Sequence, residues 1–267
     1  NINEPDLSFA QTINKAAQSA AGKQLLLWNY NYRPKPGWLS ELLKSSDSHH
    51  KSGMFCSKTL LAPENNTHVE RIHDCGIVFD AQKHPKYLYQ FCLAEQSFTN
   101  HARELQATNS PLIRIDQDLF KQVGGVKEMA SWSMMTFDLS LRVHQAGFTI
   151  KLVPSCEVFA PTPQVKKGLG ELVLINSGML CTQSQDIAAD EMEHYRRDGL
   201  ALGPQTGKHI ALVAPLPPLR TGVADYVQEL LPALTAYMTL DLFVDGYAPD
   251  DITTLNKHRI HFISDLE

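Results

Sequence analysis

No apolar run in the sequence approaches the roughly 20 residues that a membrane-crossing helix needs, and no signal-peptide pattern opens the chain. There is no excess of positive charge: 24 Lys and Arg stand against 29 Asp and Glu, a net of −5, which argues against a general nucleic-acid binder. Cysteine is sparse, with Cys56, Cys75, Cys92, Cys156 and Cys181 widely spaced and no C-x-x-C, the usage of reduced thiols in a cytoplasmic protein rather than of a disulfide framework or a zinc site. His49, His50, His68 and His73 likewise form no metal-ligand spacing and are assigned to surface or packing. A G-x-G-x-x-G fingerprint is missing too, which disfavours a dinucleotide-binding oxidoreductase. The chain starts at Asn1 rather than Met and its last recognisable element stops at Glu267, so both ends are expected to be cuts.

What is present is 43% apolar residues, enough for packed cores, in an alternation of strand and helix signals. Over 8–21 the spacing of Phe9, Ile13, Ala16, Ala17 and Ala20 predicts a helix, with Ser8 as N-cap and Gly22 as C′ residue. QLLLW at 24–28 reads as a strand buried on both faces, and NYNYRPKPG turns the chain into a helix from Trp38 to Leu43. Between Lys51 and Asn109 the pattern loosens into edge strands and a long excursion. LIRI at 112–115 reads as a strand, Asp116 as the cap of a helix stopped by Gly124 and Gly125, 137–147 as a helix with a glycine stop, and FTIKLVP as a strand. PTPQVKKGLG at 161–170 is linker-like, mixed apolar and charged helix-compatible stretches run to a second linker, LALGPQTG at 200–207, and from Lys208 a strand, a loop, a helix and a strand open a Rossmann-like unit.

Two stretches resemble known families. SFAQTINKAAQSAAGKQLLLWNYNYRPKPGWLSELL is similar to the middle of family 2 glycosyltransferases of GT-A fold, through Phe9, Ala10, Asn14, Gly22, Pro34, Pro36, Gly37, Trp38 and Leu39. The resemblance continues through Ile113, Arg114, Leu119, Phe120, Gly124 and Gly125, and again through Asp138, Leu139, Leu141, Arg142, Ala146 and Gly147. It implies a loop carboxylate that holds Mg²⁺ or Mn²⁺ against the diphosphate of a nucleotide-sugar donor, and an acidic base at the start of the later helix. This sequence has Asn29 and Asn31 at the first position, either weak metal ligands or plain turn residues, and Met135 and Thr136 at the second. Asp138 is left either as a displaced base or as a residue that orders the start of its helix. Phe159 stands near where the family carries a histidine. Trp28, Tyr30, Tyr32 and Trp38 are placed to stack on a ligand, with burial of Trp28 and Trp38 the plainer expectation.

HIALVAPLPPLRTGVADYVQELLPALTAYMTLDLF resembles the opening of a family 4 glycosyltransferase of GT-B fold. There Thr221 caps a helix, Gly222 serves either ligand approach or a turn, and Asp225 and Tyr226 lie in the first turn as substrate-binding candidates. The expected organisation is a truncated GT-A-like domain over 1–165, a connector over 166–206 and a truncated Rossmann-like GT-B start over 207–267. The resemblance implies a bacterial, cytoplasmic transferase that takes sugar from a nucleotide donor to a polysaccharide or lipid-linked glycan, peripheral association with the inner face of the membrane included. The missing acids imply a first domain with little transfer activity, or one that serves as a glycan-binding or scaffolding module.

Overall fold

A computed structural model describes residues 7–45, 52–61, 70–90, 92–161, 187–198, 209–235, 238–245 and 259–262. The two expected linkers, apart from Pro161, lie outside the described residues, as do His49, His50, His68 and Cys181.

The first sheet has seven strands, β1 (Gln24–Trp28), β2 (Arg33–Pro34), β3 (Ser52–Leu60), β4 (Ile72–Asp74), β7 (Arg103–Leu105), β8 (Leu112–Asp116) and β9 (Thr149–Phe159). Their main order is β1-β8-β3-β9-β2, with β4 on β3 and β7 on β9. A small hairpin, β5 (Ile77–Phe79) with β6 (Pro85–Tyr87), stands beside it. The strands expected at 24–28 and 112–115 are direct antiparallel neighbours, with Leu25 opposite Ile115 and Leu27 opposite Ile113. Helices α1 (Phe9–Ser19), α3 (Gln117–Gln122) and α4 (Trp132–Gln145) pack on one face through Ala10, Ala17, Leu119, Leu139 and Val143. On the other face α2 (Trp38–Lys44) buries Leu42 with Phe55, Leu112 and Val158. The result is a mixed α/β layered unit.

Several local expectations are corrected. β1 alternates exposed and buried residues instead of being buried on both faces, because it lies at the sheet's edge. In α1 the capping box of Ser8 and Gln11 is present and Ile13, Ala17 and Ala20 pack on the core as expected, yet Ala10 faces in with them while Phe9 and Ala16 face out. Helix α1 ends at Ser19 with an extended Ala20, and Gly22 has no left-handed backbone. The loose stretch after Lys51 contains the central strand, β3, buried along nearly its whole length. Asp116 stands at the N-cap of α3 but its side chain caps nothing; it accepts from Gln24 at 3.3 Å. Gly124, Gly125 and Gly147 do hold left-handed φ, as the helix stops require.

Helix α5 (Glu191–Arg197), inside the expected connector, is bolted to the first unit at both ends. Asp190 accepts from the Phe79 N–H at 2.8 Å and from Gln106 at 2.6 Å. Asp198 receives Arg103 at 3.0 Å, His101 at 3.0 Å and the Tyr89 hydroxyl. A second sheet, β10 (His209–Val213), β11 (Thr239–Val244) and β12 (Arg259–Phe262), is parallel in that order. With α6 (Gly222–Thr235) between its first two strands it is the expected strand, helix and strand, closed over Leu216, Val227, Leu231, Leu240 and Leu242.

Cys56, Cys75, Cys92 and Cys156 are free, buried thiols. Burial pushes Cys56, Cys92 and Cys156 up to about 12, which leaves them inert as nucleophiles.

Candidate functional site

Strands β1 and β3 are each antiparallel to β8, while β3 and β9 are parallel, so β1, β3 and β9 run the same way. Their carboxyl ends, Trp28, Leu60 and Phe159, share one end of the sheet, which is where open α/β sheets take ligands.

The loop after β1 is held by its own backbone and by Asn29. The Asn29 N–H donates to the Pro111 carbonyl at 2.8 Å, its carbonyl accepts from Tyr32 at 3.0 Å, and its Oδ1 accepts from the Asn31 N–H at 3.2 Å. This is an Asx turn. Asn31 and Tyr30 are exposed. Trp28 is 46% exposed, against the expectation of burial, and donates from Nε1 to the Tyr32 carbonyl at 3.3 Å. Its ring lies 5.8 Å from that of Trp38, which is half-buried. Arg33 and Lys35 each sit 5.2 Å from the centre of the Phe159 ring, so the loop brings cations to this end of the sheet.

The second expected position lies within α4. That helix starts five residues before the predicted boundary, capped by Ser131, whose Oγ accepts from the Met134 N–H at 3.2 Å. Met135 and Thr136 are therefore buried in its first turns, and the Thr136 hydroxyl donates to the Trp132 carbonyl at 3.0 Å. Asp138 is well inside the helix, not at its start. Its Oδ2 accepts from Arg142 Nε at 2.9 Å, and Arg142 in turn donates to the carbonyls of Val123 and Gly125. Asn14 completes this node, accepting the Val126 N–H at 2.9 Å and donating to its carbonyl at 2.8 Å. The motif residues Asn14, Gly125, Asp138 and Arg142 thus form one tie between α1, the turn after α3, and α4.

Sequence reasoning missed the charged ladder at the same end of the sheet. Pairing of β3 with β9 jumps from Ser57 and Val153 to Lys58 and Glu157, so residues 154–156 bulge out next to a proline that cannot donate to the ladder. The bulge sets Glu157 beside Lys58, fully buried, at 2.6 Å; Lys35 bridges Glu157 at 2.8 Å and Glu70 at 2.5 Å. Burial alone would raise the Glu157 carboxyl, but hydrogen bonds from Lys35 and Lys58 outweigh it and hold it below the ordinary range. Lys35 is lowered by burial and raised more strongly by Glu157 and Glu70. A single lysine inside the apolar run MFCSKTLLA was the available signal.

These residues do not suit a divalent cation. Asn29 spends its side-chain oxygen on the turn, and Glu157 is neutralised by two lysines. Among the described residues no group of three or more His, Cys, Asp or Glu is placed to hold a metal. No helix among them is long and apolar enough to cross a membrane.

In the second sheet's unit, Thr221 Oγ1 accepts from the Ala224 N–H at 3.1 Å and caps α6. Asp225 and Tyr226 lie exposed in its first turn. A Cβ at Gly222 would meet nothing within 4 Å and its φ is not left-handed, so the fold itself does not require glycine there.

No family model matches the chain, and no curated protein matches it. Among solved structures it is similar to a crystal structure of GalNAc-T7 with UDP, GalNAc and Mn2+, at 14% identity and a TM-score of 0.42. The match covers 58% of this chain and 30% of that one, and a likeness at this level decides neither fold nor function.

Proposed function

We propose that the chain is part of a glycosyltransferase that moves sugar from a nucleotide-sugar donor to a polysaccharide or lipid-linked glycan on the cytoplasmic side of the membrane. In this reading the first unit has a GT-A-like fold without metal-assisted transfer, and the second sheet opens a GT-B domain of family 4 type. The observation that carries it is the split between scaffold and chemistry. Asn14, Gly125 and Arg142 are joined in a single tie, while Asn29, Asn31, Met135 and Thr136 bring no carboxylate where transfer needs one.

An inverting transfer needs stabilisation of the departing diphosphate and a base near the acceptor hydroxyl. Here Arg33 offers positive charge at the carboxyl end of the sheet, Lys35 being engaged by Glu157 and Glu70, and Asp138 is engaged by Arg142. Thr221, Gly222, Asp225 and Tyr226 are the residues at which the second unit meets substrate.

A second reading, in which the first unit is a glycan-binding module serving the second, is favoured by the burial of Met135 and Thr136. The test is sugar transfer by the parent protein carrying, separately, Asp138→Asn and a lesion in the donor-binding region of its GT-B domain. Loss of transfer only with the second lesion is expected; loss only with a folded Asp138→Asn protein overturns the assignment. Calorimetry with Mn²⁺ and a nucleoside diphosphate is expected to give weak binding at most, and tight nucleotide-dependent binding abolished by Asn31→Ala would contradict it.

A further inference from the structure

Beside the loop after β1 lies a polar cluster that the transfer reading leaves unused. β4 pairs with the end of β3, Thr59 opposite Asp74, which puts His73 at the carboxyl end of the sheet. Asn109 stands two residues before Pro111, whose carbonyl holds Asn29. Tyr87, the last residue of β6, packs with Phe137 and Met134 on the first half of α4. Three elements and a loop therefore bring His73, Tyr87 and Asn109 together.

Their hydrogen bonds leave two acceptors. Asp74 accepts from the Gly76 N–H at 3.1 Å and lies 2.8 Å from His73 Nδ1. An ionised carboxylate only accepts, so Nδ1 carries the proton, and in the neutral ring Nε2 presents a lone pair. Asn109 donates from Nδ2 to the Tyr87 hydroxyl at 2.8 Å, and its Oδ1 is buried with no partner, in a residue only 6% exposed. In the amide orientation that donates to the Tyr87 hydroxyl, the free atom is the acceptor Oδ1. A buried polar atom without a protein partner takes its hydrogen bond from water or from a ligand. The Tyr87 ring lies 4.9 Å from that of His73 and its hydroxyl meets Asn109, so an aromatic ring links the two acceptors.

We propose that His73, Tyr87 and Asn109 form a subsite for one hydroxyl-bearing edge of a neutral sugar ring, the acceptor glycan of the reading above, on which this inference rests. Two acceptors recognise ligand O–H groups and repel phosphate, and an aromatic ring receives the apolar face of a sugar. Asp74 acts through His73, as a positioning residue that fixes its tautomer.

The experiment is nitrogen NMR of the histidine-labelled full chain, titrated with glucose, galactose, N-acetylglucosamine and N-acetylgalactosamine. The subsite requires His73 in the Nδ1–H tautomer and a saturable shift at Nε2 with at least one sugar, while exposed His84 and His101 stay unmoved. His73→Gln and Asn109→Ala should each weaken that sugar about tenfold, the loss of about one hydrogen bond. A folded chain in which no sugar moves His73, or in which all histidines shift alike, overturns the proposal. Unchanged acceptor KM in an active parent carrying His73→Gln and Asn109→Ala sinks the subsite and leaves the transfer reading standing. Saturable sugar binding at His73 in a parent without transfer activity does the reverse.

Discussion

At the scale of single residues, the best-read positions turn out to be joints. Asn14, Gly125 and Arg142 were legible as a motif, but the sequence could not show that they touch. Gly125 has φ +68°, and a Cβ there would meet Asn14 Oδ1 at 2.3 Å. Gly125→Ala should therefore cost about 1–2 kcal/mol for the left-handed backbone, with the clash added. Asn14→Ala should cost about 1–3 kcal/mol by leaving the Val126 backbone groups without their partner. In the double variant the clash disappears, so urea unfolding should show less destabilisation than the two single changes summed. Additivity within about 0.5 kcal/mol would mean that the two residues do not meet. The catalytic expectations read less well from sequence, because whether Met135 and Thr136 face a ligand depends on where α4 begins. That start is set by the Ser131 cap, six residues before the amphipathic pattern becomes visible.

At the scale of elements, periodicity found the helices and the strands at 24–28 and 112–115, then failed on β3. Its Ser57 and Lys58 imitate an edge strand; their partners, Ser110 for the first and Glu157 and Asn100 for the second, come from distant segments that no local pattern connects. The attachment of α5 was hidden for the same reason, since what makes that helix-compatible stretch part of the first unit is Asp190 and Asp198 meeting groups far back in the chain. Burial would raise the Asp198 carboxyl, yet hydrogen bonds from Tyr89, His101 and Arg103 hold it low. Asp198→Asn should loosen α5 selectively. Hydrogen exchange at 191–197 is expected to accelerate well before exchange in β3 and β9, and equal acceleration throughout would show that α5 is no separate latch.

For the molecule as a whole, both charged ties carry the same pH dependence. Glu157 and Asp198 have folded-state values below their ordinary 4.5 and 3.8, so their stabilisation is fully present above those values and is lost as pH falls through the depressed ones. Thermal unfolding should therefore show a falling midpoint below about pH 4.5, with a shallower acid slope in Glu157→Gln; an unchanged slope would remove that carboxylate from the balance. One arrangement also gives the molecule an optical property. Its three tryptophans are Trp28 and Trp38, in ring contact around the loop after β1, and Trp132, whose Nε1 donates at 3.1 Å to the Ser110 carbonyl beside that loop's anchor. Indole emission is thus a local gauge of one end of the first sheet. A ligand settling there should quench or shift it without any label, whereas one confined to the second sheet should leave the spectrum dark to its arrival.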